Sequence, residues 1–356
     1  MIMDMNIIRT LEALPEEEAS RRVREIRARY GKDLCVLAHL YQRKRITELA
    51  DFVGDSYGLS KSAANFEGGK YIVFCGVRFM AESAAILSRP EQKVLHPDPE
   101  AGCPMADMAS LEEVTRAWAA LNTKPGNLIP ITYMNSTADL KAFCGEREGT
   151  ICTSSNAMKT FEWAYERGER IFFLPDEHLG RNTALKFGID PQDIVVWDPE
   201  QPDGGEPEAY ATAKVILWRG YCPVHQKFTV RDIEHVRRFY PAAQIVVHPE
   251  CPSDVVAASD AVGSTDFICK YVAKTKPGDQ IFIGTEINLV QNLASQYPDR
   301  MITKLHRSLC LTMYQITMGR LLYTLENLET LDKVEVSDNV RHFSKVALDR
   351  MLSLSA

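Results

Sequence analysis

The stretches CVLAHLYQ (Cys35–Gln42), IPITYMNS (Ile129–Ser136) and IVVHPEC (Ile245–Cys251) each have a short apolar run that ends in polar residues. Each is followed by a turn and then by another apolar run, which begins near residues 71, 170 and 280. A plan that returns three times in one chain indicates an internal repeat. The sequence therefore predicts three similar strand–turn–helix units.

The first and third repeats have the same internal spacing. Gly54 lies 15 residues after His39, and Gly263 lies 15 residues after His248. The middle repeat is looser, because the residues CGEREGT are inserted between its two parts. Since strand–turn–helix units resemble one another in general, the spacing alone leaves a chance likeness open.

Apolar runs alternate with helix patterns along the chain. The predicted strands are LCVLAH, YIVFCGV, NLIPITYM, RIFFL, DIVVW, KVILW, QIVVH and QIFIG, and the helix patterns include RITELADFV, MAESAAILS, LEEVTRAWAAL and STADLKAF. Continuous apolar strands suit parallel sheets that are covered on both faces. Strand–helix alternation then predicts an α/β protein.

Three domains are expected, one for each repeat. Residues 1–120 hold an amphipathic N-terminal helix and repeat one, residues 121–233 hold repeat two, and residues 234–356 hold repeat three and the C-terminal helices. The acidic segment DPEQPDGGEPEAY (198–210) is a predicted loop by its Pro and Gly content, and it lengthens repeat two. The segment MYQITMGRLLYTLENL (313–328) is a predicted packing helix.

The composition is that of a soluble globular protein. The chain has 356 residues, 45% hydrophobic and 25% charged, with a net charge of −7. Basic residues are scattered, which argues against nucleic acid as a partner. No apolar run reaches about 18 residues, so no membrane span is expected. The acidic N-terminal stretch is unlike a signal peptide, and a cytoplasmic location is expected.

Nine cysteines, an odd number without any CxxC pair, exclude a fully paired disulfide framework. One cysteine follows each repeat, which suggests a single metal site built from Cys103, Cys222 and Cys310. An iron–sulfur cluster held by three thiolates would keep one iron free for substrate. Cys251 is the competing ligand, because it follows His248 and Glu250. The cysteines at positions 35, 75 and 269 lie in apolar patterns and are interpreted as buried hydrophobic residues.

Ligands of α/β proteins bind beyond the carboxyl ends of parallel strands. The polar residues at those ends are His39, Tyr41, Tyr133, Asn135, His248 and Glu250, and hydroxyl residues at the turns into helices are Ser56, Ser154 and Thr265. Hydroxyls and free backbone N–H groups at a helix start suit an anion. The alternatives are plain helix caps for the hydroxyl residues, structural histidines, and a solvated loop carboxylate for Glu250.

The motifs together resemble the quinolinate synthase family. They are AHLYQ, DFVGDSYGLS, FCGVRFMAESAAIL, AGCPMADM, YMNSTADLKAFC, CTSSNA, FLPDEHLGRN, GYCPVH, HPEC, VGST and IGTEINLV, in this order over about residues 34 to 325. The resemblance implies three α/β/α sandwich domains around a pseudo-threefold axis, with one 4Fe–4S cluster at the centre. It also implies condensation of iminosuccinate (iminoaspartate) with dihydroxyacetone phosphate to quinolinate, phosphate and water, a step of NAD biosynthesis.

The resemblance also carries site residues over to this chain. The cluster ligands are Cys103, Cys222 and Cys310, and the substrate-binding positions are His39, Ser56, Tyr133, Met134, Asn135, Ser154, His248, Pro249, Glu250 and Thr265. The candidates for proton transfer are Glu250, His39, Tyr41 and Tyr133. Some family members have a CxxCxxC near the last ligand. Here only Cys310 remains, so redox control through that motif is not expected.

Two other interpretations stay open at this stage. One is an iron–sulfur hydro-lyase of another dicarboxylate, which would also use an open iron. The other is an anion-binding sensor with a coordinatively closed metal. For a quinolinate synthase, functional coupling to an enzyme that produces iminoaspartate is a possible partnership.

Overall fold

The computed structural model describes residues 4–205 and 207–354. The strands are β1 Leu34–His39, β2 Phe52–Gly54, β3 Tyr71–Cys75, β4 Lys93–Leu95, β5 Leu128–Tyr133, β6 Thr150–Cys152, β7 Arg170–Leu174, β8 Ile194–Trp197, β9 Val215–Trp218, β10 Gln244–Val247, β11 Ala261–Val262, β12 Gln280–Gly284 and β13 Met301–Lys304. The helices are α1 Met5–Glu12, α2 Glu16–Tyr30, α3 Lys44–Thr47, α4 Ser56–Ala64, α5 Arg78–Leu87, α6 Pro104–Asp107, α7 Leu111–Leu121, α8 Ala138–Glu146, α9 Ala157–Tyr165, α10 Glu177–Phe187, α11 Val230–Phe239, α12 Ser253–Ala258, α13 Thr265–Lys274, α14 Ile287–Gln296, α15 Met318–Glu326 and α16 Asp338–Ser353.

The strands form three parallel sheets. Their orders are β2-β1-β3-β4, β6-β5-β7-β9-β8 and β11-β10-β12-β13, and every pairing is parallel. Each sheet places its second strand, then its first, then its third, so the threefold repeat of the sequence is a repeat of strand order. The expected α/β class with three parallel sheets flanked by helices is confirmed. The pseudo-threefold axis and the three domain boundaries stay predictions.

One predicted helix is wrong in its second half. The pattern RITELADFV contains only the short helix α3, and its last residues begin strand β2. Phe52 and Val53 are exposed at the sheet edge, where β2 pairs with β1 alone. A three-residue edge strand carries too few alternating residues to be distinguished from a helical pattern. The strands β4, β6 and β11, of two or three residues, are missing from the prediction for the same reason, and the four-residue edge strand β13 is missing as well.

Unit 1 is a compact unit built from residues 1–103, 287–292 and 309–337. It contains the first sheet, whose core side chains pack with those of α1, α2 and α15. Ile8 and Leu11 of α1 are buried in this core, so the predicted packing of the N-terminal helix is confirmed. The predicted packing helix over residues 313–328 is confirmed only in part: α15 begins at Met318, and Met313–Gln315 form a separate 3₁₀ turn.

Unit 2 is a compact unit built from residues 104–286, 293–308 and 338–356. It contains the second and third sheets, each with its own apolar cluster. Helix α16 packs closely on α8, where a Cβ at Gly145 would lie 2.0 Å from the Phe343 carbonyl oxygen. The acidic segment 198–210 forms short 3₁₀ turns and no strand among its described residues, as expected. The second sheet also has an additional edge strand, β8.

The first and third sheets contain the same arrangement of an aspartate that binds a strand N–H and an arginine. The Asp51 carboxylate accepts the Val36 backbone N–H at 2.7 Å and forms an ion pair with Arg27. In the third repeat the Asp260 carboxylate accepts the Ile245 N–H at 2.7 Å, and Arg237 lies 2.6 Å away. The equal spacing predicted from the sequence therefore extends to equal local contacts.

Within the described residues, no helix is both long and apolar enough to cross a membrane.

Candidate active site

The polar residues predicted at strand ends lie where expected. Tyr133 is the last residue of β5, and His248 directly follows β10. Both are buried, as is Glu250 two residues later. All three belong to unit 2, where the chain brings them into contact. A buried group of this kind must find its hydrogen bonds inside the protein.

The Glu250 carboxylate is the centre of this group. Its Oε1 accepts a hydrogen bond from the Tyr133 hydroxyl at 2.5 Å. Its Oε2 lies 2.8 Å from His225 Nδ1, and His225 Nε2 lies 3.0 Å from the Thr285 hydroxyl. Glu250, His225 and Thr285 are at most 3% exposed. The solvated-loop interpretation of Glu250 is therefore excluded.

His248 links this group to Ser154. Its Nδ1 accepts the Glu250 backbone N–H at 3.3 Å, so the ring proton of the neutral histidine is on Nε2. That Nε2 lies 3.2 Å from the Ser154 hydroxyl. The rings of His248 and His225 stack with their centroids 4.5 Å apart. His248 is therefore both a structural residue and a donor that faces the turn before α9.

Two buried carboxyl groups of unit 2 have pKa values that are shifted in opposite directions. Burial raises the pKa of Glu250, but the electrostatic contacts with His248 and His225 and the hydrogen bonds from His225 and Tyr133 outweigh it and hold the pKa below its ordinary value. Burial, and then the charge of Glu250, raise the pKa of Asp176 well above its ordinary value. Opposite shifts in neighbouring carboxyl groups are typical of acid–base sites.

Helix α10 positions the turn that carries Glu250. The Asn182 side-chain amide donates to the carbonyl oxygens of Pro249 at 2.8 Å and Cys251 at 2.9 Å, on both sides of Glu250. Asp176 caps the same helix through Oδ1, which accepts the Leu179 N–H at 2.8 Å. Its Oδ2 is buried and has no hydrogen-bond partner. A buried carboxyl oxygen without a partner favours the protonated form of Asp176.

In the segment Tyr133–Asn135, one buried side-chain acceptor has no hydrogen-bond partner. Met134 is fully buried, and its N–H donates to the Cys152 carbonyl at 2.8 Å. The Asn135 side-chain oxygen is buried and has no hydrogen-bond partner in the structure. A buried unpaired amide oxygen beside Tyr133 is suited to receive a ligand donor.

In unit 1 the first repeat builds the same turn as the third. His39 Nδ1 accepts the Tyr41 backbone N–H at 3.1 Å, and the two rings meet edge to face at 4.7 Å. The Asn288 amide holds the Tyr41 carbonyl at 3.0 Å. Gln42 donates to the Met313 carbonyl at 3.1 Å, which ties this turn to the segment that follows Cys310.

None of the three hydroxyl residues is a helix cap. Ser56 and Thr265 are the first residues of α4 and α13, and Ser154 precedes α9 by three residues. The N-caps of these helices are Asp55, Asn156 and Ser264. The plain-cap interpretation is therefore excluded. Their position at helix starts, where the first backbone N–H groups have no partner within the helix itself, still suits an anion.

The thiols divide into two groups by burial. Cys103, Cys222 and Cys310 are half-buried and form no disulfide bonds, and Cys310 Sγ lies 3.4 Å from the Thr312 hydroxyl. Cys103 and Cys310 belong to unit 1 and Cys222 to unit 2. Partly exposed thiols with a hydroxyl donor nearby have the right chemistry for ligands of an iron–sulfur cluster.

The competing cysteines are less suited to bind metal. Burial raises the pKa of Cys35 and Cys75 to about 12, and it raises the pKa of Cys144, Cys152 and Cys251 as well. The Cys251 thiol faces the Gly284 carbonyl at 3.8 Å. A protonated, buried thiol is a poor metal ligand, which disfavours Cys251. Cys269 is half-buried, not buried as expected, because it lies on the partly open face of α13.

Four residues of this site were not singled out in the sequence, namely His225, Thr285, Asp176 and Asn182. A signal for two of them exists, since Asp176 and Thr285 closely follow the apolar runs RIFFL and QIFIG. His225 lies three residues after Cys222 in GYCPVH, after strand β9. Asn182 lies inside a helix pattern, where no sequence rule marks it.

The fold and the site define the class of protein: a parallel α/β protein with three sheets and a buried, hydrogen-bonded Tyr–Glu–His group. A comparison with protein families finds the family described as quinolinate synthetase A protein, over residues 21–353. The chain belongs to this family.

Similar proteins carry the same name. A quinolinate synthase of Acidobacterium capsulatum is 48% identical over 96% of this chain and 94% of its own length. One of Corynebacterium glutamicum is 47% identical, over 96% and 91% of the two chains. One of Geobacillus kaustophilus is 44% identical, over 99% of this chain and the whole of its own. The similarity therefore spans all three sheets.

Proposed function

We propose that this protein is a quinolinate synthase that acts in the cytoplasm. It condenses iminosuccinate with dihydroxyacetone phosphate to quinolinate, phosphate and water, a carbon–carbon bond-forming step of NAD biosynthesis. The observation that carries this proposal is the buried Glu250 carboxylate between the Tyr133 hydroxyl and His225. Ring formation by isomerisation, imine closure and dehydration requires repeated proton transfer at one place, which such a group provides.

The Tyr133 hydroxyl is the group that meets the substrate in this proposal. Since the pKa of Glu250 is held low, Glu250 is a weak base by itself at neutral pH. Its short contact with Tyr133 lets it accept the phenol proton while the phenol oxygen takes one from substrate. His225 holds the other carboxylate oxygen and keeps it in place. Glu250 thus acts as proton acceptor and Tyr133 as relay.

The anionic groups of both substrates are bound by neutral donors. His248 Nε2–H and the Ser154 hydroxyl form one donor pair, and Thr265 at the start of α13 forms another with its helix N–H groups. Ser56 at the start of α4 has the same position in the first repeat. Helix N-termini favour negative charge, so few arginines are needed. The free Asn135 oxygen is available for an imine N–H or a hydroxyl.

Cys103, Cys222 and Cys310 hold one 4Fe–4S cluster in this proposal. When bound, the cluster supplies an iron with an open position, which acts as a Lewis acid on a leaving hydroxyl. The half-buried state of these thiols and the Thr312 hydroxyl near Cys310 support the assignment. His39 and Tyr41 carry further proton donors at the first repeat.

The test is anaerobic purification followed by assay with both substrates, iminosuccinate being supplied by an aspartate-oxidising enzyme. A brown protein with about four irons per chain that forms quinolinate and phosphate in equal amounts supports the proposal. Glu250→Gln is the control, because it keeps the shape of the site. Dehydration of another dicarboxylate without the triose phosphate would favour a hydro-lyase instead. A colourless zinc protein without quinolinate formation would favour a sensor.

A further inference from the structure

Three metal-binding groups of different chemistry meet inside unit 2. One ligand atom from each of Cys222, His225 and Glu250 lies within 4.8 Å of the other two. Cys222 and His225 are on one turn after β9, where the His225 N–H donates to the Cys222 carbonyl at 3.1 Å. Thiolate, imidazole and carboxylate are the ligands that zinc takes in catalytic sites with three protein ligands.

The hydrogen bonds around these groups have the arrangement of a metal site. His225 Nδ1 and Glu250 Oε2 face each other at 2.8 Å. Their other atoms have separate partners, Thr285 for His225 Nε2 and Tyr133 for Glu250 Oε1. A metal-bound histidine almost always donates its second N–H to such a partner, which fixes the ring and its tautomer. His225 and Glu250 therefore each already have the second hydrogen-bond partner that supports a metal ligand.

From this arrangement we infer that the cluster-free protein binds one divalent cation of the zinc type. The ligands are Cys222 Sγ, His225 Nδ1 and Glu250 Oε2, and water takes the fourth position. Zinc bonds of 2.0–2.3 Å place tetrahedral ligand atoms roughly 3.3–3.7 Å apart, so the three groups need to move by little more than about 1 Å. Binding releases the Cys222 thiol proton. The proton that His225 Nδ1 donates to Glu250 also leaves this nitrogen, so that the metal-bound neutral ring carries its one proton on Nε2, facing the Thr285 hydroxyl.

A consequence rests on the proposed function. Cys222 is one of the three proposed cluster ligands, and Glu250 is the proposed proton acceptor. A zinc ion on these residues removes both from their other roles. The zinc form is therefore inactive, and zinc and the cluster exclude each other.

The binding test uses the full chain, freed of metal and cluster under anaerobic conditions, and titrated with Co²⁺ as a coloured substitute for zinc. One Co²⁺ per chain with a thiolate charge-transfer band is expected, and Zn²⁺ should abolish the band. Cys222→Ser should remove it. His225→Asn and Glu250→Gln should weaken binding at least tenfold, and Thr285→Val should weaken it about 10- to 100-fold.

The matched controls separate this site from the three-cysteine site. Cys103→Ser and Cys310→Ser should keep the band and the affinity within a factor of two, as should Cys269→Ser. Loss of the band in Cys103→Ser or Cys310→Ser would assign the ion to the three thiols and overturn the inference. Absence of a thiolate band in the parent, or unchanged binding in both His225→Asn and Glu250→Gln, would also overturn it. Circular dichroism of each variant shows that it is folded.

The competition test separates the two proposals. One equivalent of Zn²⁺ added before reconstitution with iron and sulfide should prevent the brown colour in the parent. Glu250→Gln, which binds zinc weakly, should still take up iron under the same conditions. If no protein takes up iron even without zinc, the cluster assignment fails while the cobalt result stands. If zinc and iron occupy the parent together, the exclusion is wrong.

Discussion

The turns at His39 and at His248 have the same backbone and different chemistry. In both, the histidine Nδ1 accepts the N–H of the residue two positions later, at 3.1 Å and 3.3 Å. That residue is half-buried Tyr41 in the first repeat and buried Glu250 in the third. A repeated fold thus places a different side chain at each of two equivalent points, a phenol in the first repeat and a carboxylate in the third.

The neighbours of the two turns explain why the carboxylate is tolerated only in the third repeat. Glu250 is surrounded by Tyr133, His225 and His248, which stabilise its charge. A buried carboxylate without such partners would be neutralised or would destabilise the fold. The difference between the repeats is therefore a property of the whole group and not of one substitution.

The largest effect is expected when the proposed cluster ligand Cys222 is compared with Cys251, which lies in the third-repeat turn. Cys222→Ser should abolish both the brown colour and quinolinate formation, because the proposed cluster loses a ligand. Cys251→Ser, in the turn itself, should keep iron near the parent value, since its thiol is buried and faces a carbonyl. Iron analysis and absorption spectra of anaerobic protein measure both. Iron loss in Cys251→Ser with retention in Cys222→Ser would refute the assignment.

The next effect tests the side chain that differs between the turns. Glu250→Gln should keep iron and substrate binding and lower kcat by about two to four orders of magnitude, the range for a lost proton-transfer group. Tyr133→Phe should have a similar effect, because its hydroxyl is the 2.5 Å partner of Glu250. Steady-state kinetics on both variants provide the measurement. A Glu250→Gln rate within a fewfold of the parent places the proton acceptor elsewhere, with Tyr41 or His39 next in line.

A smaller effect is expected at the helix starts. Ser154→Ala should weaken quinolinate binding about five- to 100-fold, since a bound oxygen that loses one donor costs roughly 1–3 kcal/mol. Iron content should not change. The neighbouring exposed hydroxyl in Ser155→Ala is the matched control and should leave Kd unaltered. Equal Kd values for parent and Ser154→Ala, measured by titration calorimetry, would remove Ser154 from the anion site.

The sequence predicted the site residues at the strand ends but not the residues that contact them, such as His225. Apolar runs and equal spacing were sufficient for the long strands and for His39, Tyr133, His248 and Glu250, because strand ends collect at one edge of a parallel sheet. His225 was not found, because its contact with Glu250 joins residues 25 positions apart. The edge strands β2, β4, β6 and β11 were missed since two or three residues have no measurable period.

Asp176 sharpens the comparison, because it is a buried carboxyl group whose pKa depends on the charge of Glu250 in the third-repeat turn. Because the pKa of Asp176 is raised in the folded protein, the folded state still binds a proton at pH values where the unfolded state has released it. The free energy of unfolding of the parent therefore falls as pH rises above the ordinary aspartate pKa. Asp176→Asn keeps the cap oxygen and cannot titrate. The variant should gain stability relative to the parent between pH 5 and pH 8, by up to about 1.4 kcal/mol per pH unit.

Urea unfolding at several pH values measures this difference. In the Glu250→Gln background the gain should shrink, because the charge of Glu250 is the second cause of the raised pKa. A pH-independent difference between parent and Asp176→Asn would mean that Asp176 is ionised in the folded protein.

The smallest effect tests whether the two repeats have equal scaffolds. Asp51→Asn and Asp260→Asn each weaken one strand N–H contact and one arginine pair in partly exposed positions. Each should lower the free energy of unfolding by about 1 kcal/mol, since solvent screens both pairs. The exposed Lys345–Asp349 pair provides the control, and Asp349→Asn should change stability by less than about 0.5 kcal/mol.

The pH dependence of this last effect has the opposite sign to that of Asp176. Burial raises the pKa of Asp260, but the hydrogen bonds from Arg237 and the Ile245 N–H outweigh it and lower the pKa. Its contribution is therefore present above the ordinary aspartate pKa and lost as pH falls below it. The difference between parent and Asp260→Asn should shrink under acid conditions in urea unfolding. If Asp260→Asn destabilises at pH 7 and Asp51→Asn does not, the repeats share a backbone path but not the contacts that stabilise it.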